Sequence, residues 1–417
     1  SVAIPSRNNN YGIISTDWFN GPGCESAMVA FDDPHDPKIL YGGCFNGRIS
    51  LLDVRTMEAK DIQPYPMTNL GYEAKDMKYR FNWNAPLINS PHDPQTMYYG
   101  GNVVFKTTDG ALSWEVISPD LTKNDTTRQA EGGGPFTNEG AGGENYNTIY
   151  YLAESPHEEG VIYAGSDCGL LQLTRDGGAS WQNITPPNLP ETMIHAIEVS
   201  PHDPGTVYFC STRYKFNDFK NYSYKSKDYG KSWVEIGTDI QDDDFFRVVR
   251  EDPKVPGLLY AGAERGFYIS SDGGTSFVRW QQNLPVVPIT DLVIRNNDLA
   301  ASTAGRGFWI LDDLSAMQQS QATYNQRASV NLYTPKVQTR ILGSSAFYLV
   351  TELAYGENPT EGVALDYYLG QEGYDSLKLE IIDAQGQVIR TITNHENFEP
   401  SMQGTRGNIP ARNTEHL

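Results

Sequence analysis

A short turn that recurs along the chain constrains its fold more than any other feature. It appears as Asp33-Pro34-His35-Asp36-Pro37, Ser90-Pro91-His92-Asp93-Pro94, Ser155-Pro156-His157-Glu158-Glu159, Ser200-Pro201-His202-Asp203-Pro204 and Glu251-Asp252-Pro253. A β-branched and aromatic segment follows each copy: Ile39 to Gly43, Thr96 to Gly100, Val161 to Gly165, Thr206 to Phe209 and Leu258 to Gly262. The turn prolines advance from Pro34 by 57, 65, 45 and 52 residues, the spacing of propeller blades with insertions. A sixth unit without the proline turn runs through Asp298 to Ser302 and Gly307 to Leu311. One supersecondary unit repeated six times predicts an all-β propeller, with seven blades in a complete ring. The 39 glycines and 25 prolines agree, since both residues are costly inside helices.

The second half of each unit is an Asp box, Ser/Thr-x-Asp-x-Gly-x-Ser/Thr-aromatic. It is complete at Thr174 to Trp181, Ser226 to Trp233 and Ser270 to Phe277, and at Thr107 to Trp114 the usual glycine is Ala111. A carboxylate in a hairpin can accept backbone N–H bonds, glycine permits positive φ, and the aromatic can pack between blades. Asp109, Asp176, Asp228 and Asp272, with Trp114, Trp181, Trp233 and Phe277, are therefore expected to be structural. Four equivalent carboxylates, one per blade, are not the unique close pair that a glycosidase needs. The recurring histidines His35, His92, His157 and His202 are likewise expected to pack the turns.

The Asp boxes, together with Gly305 to Asp313, Lys78 to Trp83 and Ser118 to Asp125, resemble bacterial sortilin-like Asp-box (BNR) repeat proteins that often carry the label glycosyl hydrolase. The resemblance covers roughly residues 1 to 320. It implies an exported propeller that binds a peptide, protein or glycan, and it leaves open a glycoside hydrolase of the two-propeller xyloglucanase type or, with less support, of the sialidase type. The resemblance also leads one to expect a histidine before Gly305-Arg306, where this chain has Ala304.

Net charge excludes other functions. With 32 basic and 52 acidic residues the chain carries −20, which repels nucleic acid and anionic lipid. No apolar run reaches the 18 or so residues of a membrane span. Ser1 to Pro5 reads as interior sequence, so a natural N-terminal portion, with any export signal, is expected ahead of it. Cys24, Cys44, Cys168 and Cys210 lack zinc-site spacing, and neither a metal nor a cofactor is expected. Cys24 and Cys44, read as lying in neighbouring strands of one blade, can form a disulfide in an oxidising compartment; the alternative is four buried thiols.

The propeller is expected over residues 1–317, with Tyr11 to Phe19 a candidate contributor to a seventh blade. A polar linker is expected over 318–330 and the start of an immunoglobulin-like sandwich over 331–417. The sandwich strands are read at Phe347 to Val350, Val363 to Leu369 and Leu377 to Asp383, with a hairpin turn at Asp383 to Gly386.

Ligands of propellers sit where non-repeated loops converge. Three such loops are Tyr72 to Trp83, Asn124 to Tyr146 (with Glu131, Glu139 and Glu144) and Thr212 to Tyr224. Arg80, Trp83, Arg213, Tyr214, Arg247 and Arg306 are the candidate ligand-binding residues. Two readings of the arginines stand side by side: a positive well for a carboxylate or sulfate, or guanidinium groups that tie blades together through neighbouring carboxylates.

Overall fold

A computed structural model describes residues 1–8, 12–26, 28–33, 36–66, 71–130, 145–241, 243–326, 329–338, 355–359, 362–371 and 374–394. The His35 turn position, Glu131, Glu139 and Glu144, and the strand expected at Phe347 to Val350 lie outside them.

Six antiparallel meanders form a six-bladed β-propeller. The first blade comprises Val29–Phe31, Ile39–Cys44, Arg48–Asp53 and Glu58–Asp61, and the second Leu87–Asn89, Met97–Gly100, Val104–Thr107 and Glu115–Val116. The third comprises Ile149–Glu154, Ile162–Ser166, Leu171–Thr174 and Gln182–Asn183. The fourth runs Met193–Val199, Val207–Arg213, Asp218–Ser226 and Val234–Ile236, and the fifth Phe246–Glu251, Leu259–Ala263, Phe267–Ser270 and Val278–Arg279. The sixth has three strands, Ile289–Arg295, Asp298–Thr303 and Phe308–Leu311. The first strand of each blade packs against the first strand of the next, which places these strands around the axis.

The core lies between blades, because each sheet buries both faces. Tyr41, Tyr98, Tyr163 and Tyr208 occupy one repeat position and pack against the following blade; Tyr98 donates to Glu154 of the third blade at 3.0 Å. In the sixth blade Ala300 stands at that position, and Phe308 is 64% exposed where the fifth blade's Phe267 is 4% exposed. Close approach of blades depends on a missing side chain: a Cβ on Gly165 would lie 2.4 Å from Ile194, and one on Gly262 would lie 2.6 Å from Ile289.

The Asp-box turns share one hydrogen-bond set. Asp176 accepts the Ser180 backbone N–H at 2.9 Å together with the hydroxyls of Ser180 and Thr174. Asp109, Asp228 and Asp272 accept the same set from Ser113, Ser232 and Ser276 and their own Thr107, Ser226 and Ser270. Ala111 takes the positive φ, 71°, that glycine ordinarily supplies. The indole N–H of Trp114, Trp181 and Trp233 donates to Ile62, Ile117 and Ile184, each the carbonyl that follows the outermost strand of the preceding blade. Phe277 has no such donor, and its backbone N–H goes to Asp239 instead. The turn histidines link blades as well, since ring nitrogens of His92, His157 and His202 donate to the carbonyls of Ser155, Ser200 and Asp252.

A disulfide joins Cys24 to Cys44. Cys44 ends a strand of the first blade, while Cys24 lies in the loop before that blade rather than in a neighbouring strand. Phe19–Asn20 pairs with Val2–Ala3, so this part of the segment considered for a seventh blade forms a two-stranded sheet of its own.

The chain divides into two units, 1–314 with 341–360 and 315–340 with 361–417. The stretch expected to be a linker holds an α-helix, Ser315–Gln326. Polarity suggested a linker, but those residues contain no glycine or proline and include good helix formers such as Gln, Met and Ala. In the second unit Val330–Leu332 pairs with Tyr367–Leu369, and Lys378–Ile382 pairs with Val388–Thr393 across a turn in which Asp383 accepts the N–H groups of Gln385 and Gln387. Among the described residues these make two two-stranded sheets. No helix there is long and apolar enough to cross a membrane.

Candidate functional site

At one end of the propeller a cavity of about 130 Å³ is lined by Asn82, Trp83, Asn84, Asn145, Tyr146, Tyr150, Asp167, Met193, Tyr214 and Lys215. These residues come from the loop ahead of the second blade, the entry to the third, the inner hairpin of the third, and the inner end of the fourth. Trp83 stacks on Phe45 with ring centroids 5.3 Å apart and planes 14° apart. Asn82 accepts the N–H of Asn84 and donates to Thr148, and Asn145 donates to the Phe81 carbonyl at 3.1 Å.

Asp167 is the buried acid of this lining, 3% exposed. It accepts the Thr148 backbone N–H at 3.0 Å, the Thr148 hydroxyl at 2.7 Å and the Asn82 amide at 3.3 Å. Burial pushes its carboxyl up to about 7, with the bonds from Thr148 and Asn82 pulling the other way. Beneath the cavity His195 packs against Tyr150, ring centroids 5.5 Å apart. Its Nδ1 lies 3.1 Å from the Arg247 carbonyl and its Nε2 faces the Arg247 guanidinium, so Nδ1 carries the proton. Burial and then Arg247 push His195 down to about 3, which keeps it neutral.

Further along the axis Arg250 of the fifth blade bonds Tyr151 of the third at 2.8 Å, Glu198 of the fourth at 3.2 Å, and Asp291 and the Leu292 carbonyl of the sixth at 2.8 and 2.9 Å. Side chains from three other blades therefore meet on one guanidinium of the fifth.

The structure places the candidate residues differently from one another. Trp83 and Tyr214 line the cavity. Arg80 is buried and bonds Asp120 at 2.6 Å and the Asn147 carbonyl at 3.2 Å, bracing the entry to the third blade. Arg213 bonds Asp218 at 2.8 Å and also reaches the Glu191 carbonyl. Arg247 pairs with Glu264 at 2.6 Å and lies over the Tyr214 ring. Arg306 is exposed and bonds the neighbouring Gly305 carbonyl. Three of the four guanidinium groups are thus paired with carboxylates, two of them within their own blade, so these three do not form the anion well and only Arg80 braces one blade against the next.

Sequence reasoning passed over Asp167, Tyr150 and His195. Asp167 stands two residues after the repeated glycine Gly165, as Glu264 does after Gly262. An acid inside the repeat, at the inner hairpin, was the signal; attention to the insertions between repeats missed it.

No family model matches the chain. A probable oligoxyloglucan-reducing end-specific xyloglucanase of Neosartorya fischeri is 25% identical over 172 residues, 36% of this chain and 20% of that protein. Among solved structures, the GH74 xyloglucanase of Xanthomonas campestris is similar with a TM-score of 0.49 at 19% identity, covering 69% of this chain and 45% of that one. YCF48 from Cyanidioschyzon merolae is similar with a TM-score of 0.46 at 11% identity, covering 68% and 80%. The chain thus spans a fifth of the curated relative and under half of the xyloglucanase structure, and at these identities no activity carries over.

Proposed function

We propose that this chain is a noncatalytic binding propeller of sortilin-like type, working outside the cytoplasm, that takes part of a polar peptide or glycan into the cavity around Asn82 and Asp167. The makeup of the lining carries this reading. Asn84 and Asn145 bring amides to the lining, Asn82 holds Asp167 there, and Trp83, Tyr150 and Tyr214 bring aromatic rings, the usual composition of a site for a polar ligand. Among the described lining residues Asp167 is the one carboxylate. A glycosidase needs two, about 5 to 9.5 Å apart. The Asp-box carboxylates are occupied by their own turns, and Glu191 and Glu264 are held by Arg128 and Arg247. The Cys24–Cys44 disulfide supports an oxidising, extracytoplasmic setting.

A peptide and glycan array, probed with the parent protein and with Trp83→Ala and Tyr214→Ala, tests the reading beside hydrolysis assays. The expected result is a set of ligands bound by the parent, weakened about tenfold or more by either substitution and left uncleaved. Turnover of a bound glycan, or binding indifferent to both substitutions, overturns it.

A further inference from the structure

We propose that the ligand group accepted beside Asp167 is a primary ammonium, as carried by a lysyl side chain, a peptide N-terminus or an amino sugar. This deepens the binding reading above and rests on it.

The argument begins with what surrounds the carboxyl. Three donors converge on it, the Thr148 N–H, the Thr148 hydroxyl and the Asn82 amide. The Asn82 carbonyl oxygen is turned away and accepts from Asn84, while the Thr148 hydroxyl is already occupied in accepting from Asn82. The neighbourhood is therefore built to serve an acceptor, the ionised form, and offers no evident acceptor for a carboxylic proton. Yet among the described residues Asp167 has no cation within ion-pair distance. Arg80 and Arg247, the nearby guanidinium groups, belong to Asp120 and Glu264. Lys215, the cation of the lining, has an interaction of its own.

A buried carboxylate with neutral donors and no counter-charge is costly, and a ligand cation removes that cost. Trp83 and Tyr150 line the same space, and aromatic faces suit a cation better than an anion; the Tyr214 ring already carries Arg247. A space of about 130 Å³ admits an aminoalkyl end or a single amino-sugar ring and little more.

The free carboxyl sits near 7, which makes the sign of the pH dependence diagnostic. The other titratable groups facing it do not change charge in that window: burial raises Tyr146, Tyr150 and Cys168, the last two to about 12 and about 11, and His195 is held neutral. A lysyl ammonium keeps its charge across this window and needs the ionised carboxylate, so its binding weakens by about tenfold between pH 8 and pH 6, whereas an α-amino group or sugar amine, whose own proton leaves near pH 8, shows a shallower trend. A hydroxyl or carbonyl ligand bonded by the neutral acid shows the opposite trend.

The test is calorimetric titration of the parent and of Asp167→Asn with two matched pairs, Nα-acetyl-lysinamide against its Nε-acetylated form and glucosamine against N-acetylglucosamine. The expected result is that the amine member of at least one pair binds tenfold or more tighter at pH 8. That advantage shrinks at pH 6 and is lost in Asp167→Asn, whose fold is checked by thermal melting. Which pair responds separates a peptide source from a glycan source. Equal binding within both pairs, or tighter binding in acid, overturns the ammonium. An array ligand that lacks an amine but is weakened by Trp83→Ala overturns this inference and leaves the cavity reading standing. Array ligands indifferent to both Trp83→Ala and Asp167→Asn overturn the two together.

Discussion

Thr148 holds Asp167 by two bonds at once, its backbone N–H donating to Oδ1 at 3.0 Å and its hydroxyl to Oδ2 at 2.7 Å. Thr148 opens the third blade and Asp167 closes that blade's inner hairpin, so the pair fastens a strand to the turn beside it. The same pair keeps a carboxyl at the cavity wall in a place where burial opposes its charge.

That opposition has a consequence for stability. Asp167 stands near 7 in the folded protein against an ordinary value near 4, so between those two values the folded state binds more protons than the unfolded state. Its contribution to stability therefore falls as pH rises from about 4 to about 7. Asp167→Asn removes this dependence. Urea unfolding midpoints should show the variant gaining on the parent across that window, with the two closest near pH 4; a gap that widens in acid contradicts the assignment.

Trp181 spans the second and third blades with a 3.0 Å bond from its indole to the Ile117 carbonyl. Trp181→Phe keeps the ring and loses the bond, as Phe277 does naturally, and is expected to cost roughly 0.5–1.5 kcal/mol. Trp181→Ala also loses the packing and is expected to cost roughly 3 kcal/mol. Chemical denaturation of both variants measures the difference.

Gly165 lies against Ile194 of the next blade, and a Cβ there would come 2.4 Å from Ile194 Cγ2. Gly165→Val is expected to destabilise by roughly 1–3 kcal/mol or more, because two packed sheets must separate. Gly177, with φ of 69° and no heavy atom within 4 Å of the same added carbon, provides the comparison: Gly177→Asn should be nearly silent, since asparagine tolerates that conformation. Melting temperatures of the two variants should differ clearly in that order.

The disulfide closes a loop across a sequence separation of 20 residues between the first blade and the segment before it. Cys24→Ser with Cys44→Ser, or treatment with reductant, should lower stability by about 3 kcal/mol through the freed unfolded chain. Cys168 and Cys210 are buried free thiols and should react with a thiol reagent only after unfolding.

The propeller was legible in the sequence because its signals are local. Pro91 and Pro201 start turns, Tyr98 and Tyr208 sit in short strands, and Asp176 and Asp228 each find their partners within four residues, so every copy of the unit announces itself. The 318–330 stretch shows the limit of composition, since polarity alone does not distinguish a linker from the helix found at Ser315–Gln326. The cavity was legible only in part. Trp83 and Tyr214 stood out as residues of insertions, but Asp167 and Tyr150 belong to the repeat itself, and what they face depends on how blades turn about the axis. Likewise nothing in the spacing says that Arg80 finds Asp120, 40 positions away, or that Arg247 finds Glu264, 17 positions away. Short-range hydrogen bonds and side-chain alternation are written into neighbouring residues and determine the blade. Ion pairing and desolvation depend on distances through space, so only the packing of the blades decided which arginines were already paired and which carboxyl, among the described residues, has no cation within ion-pair distance.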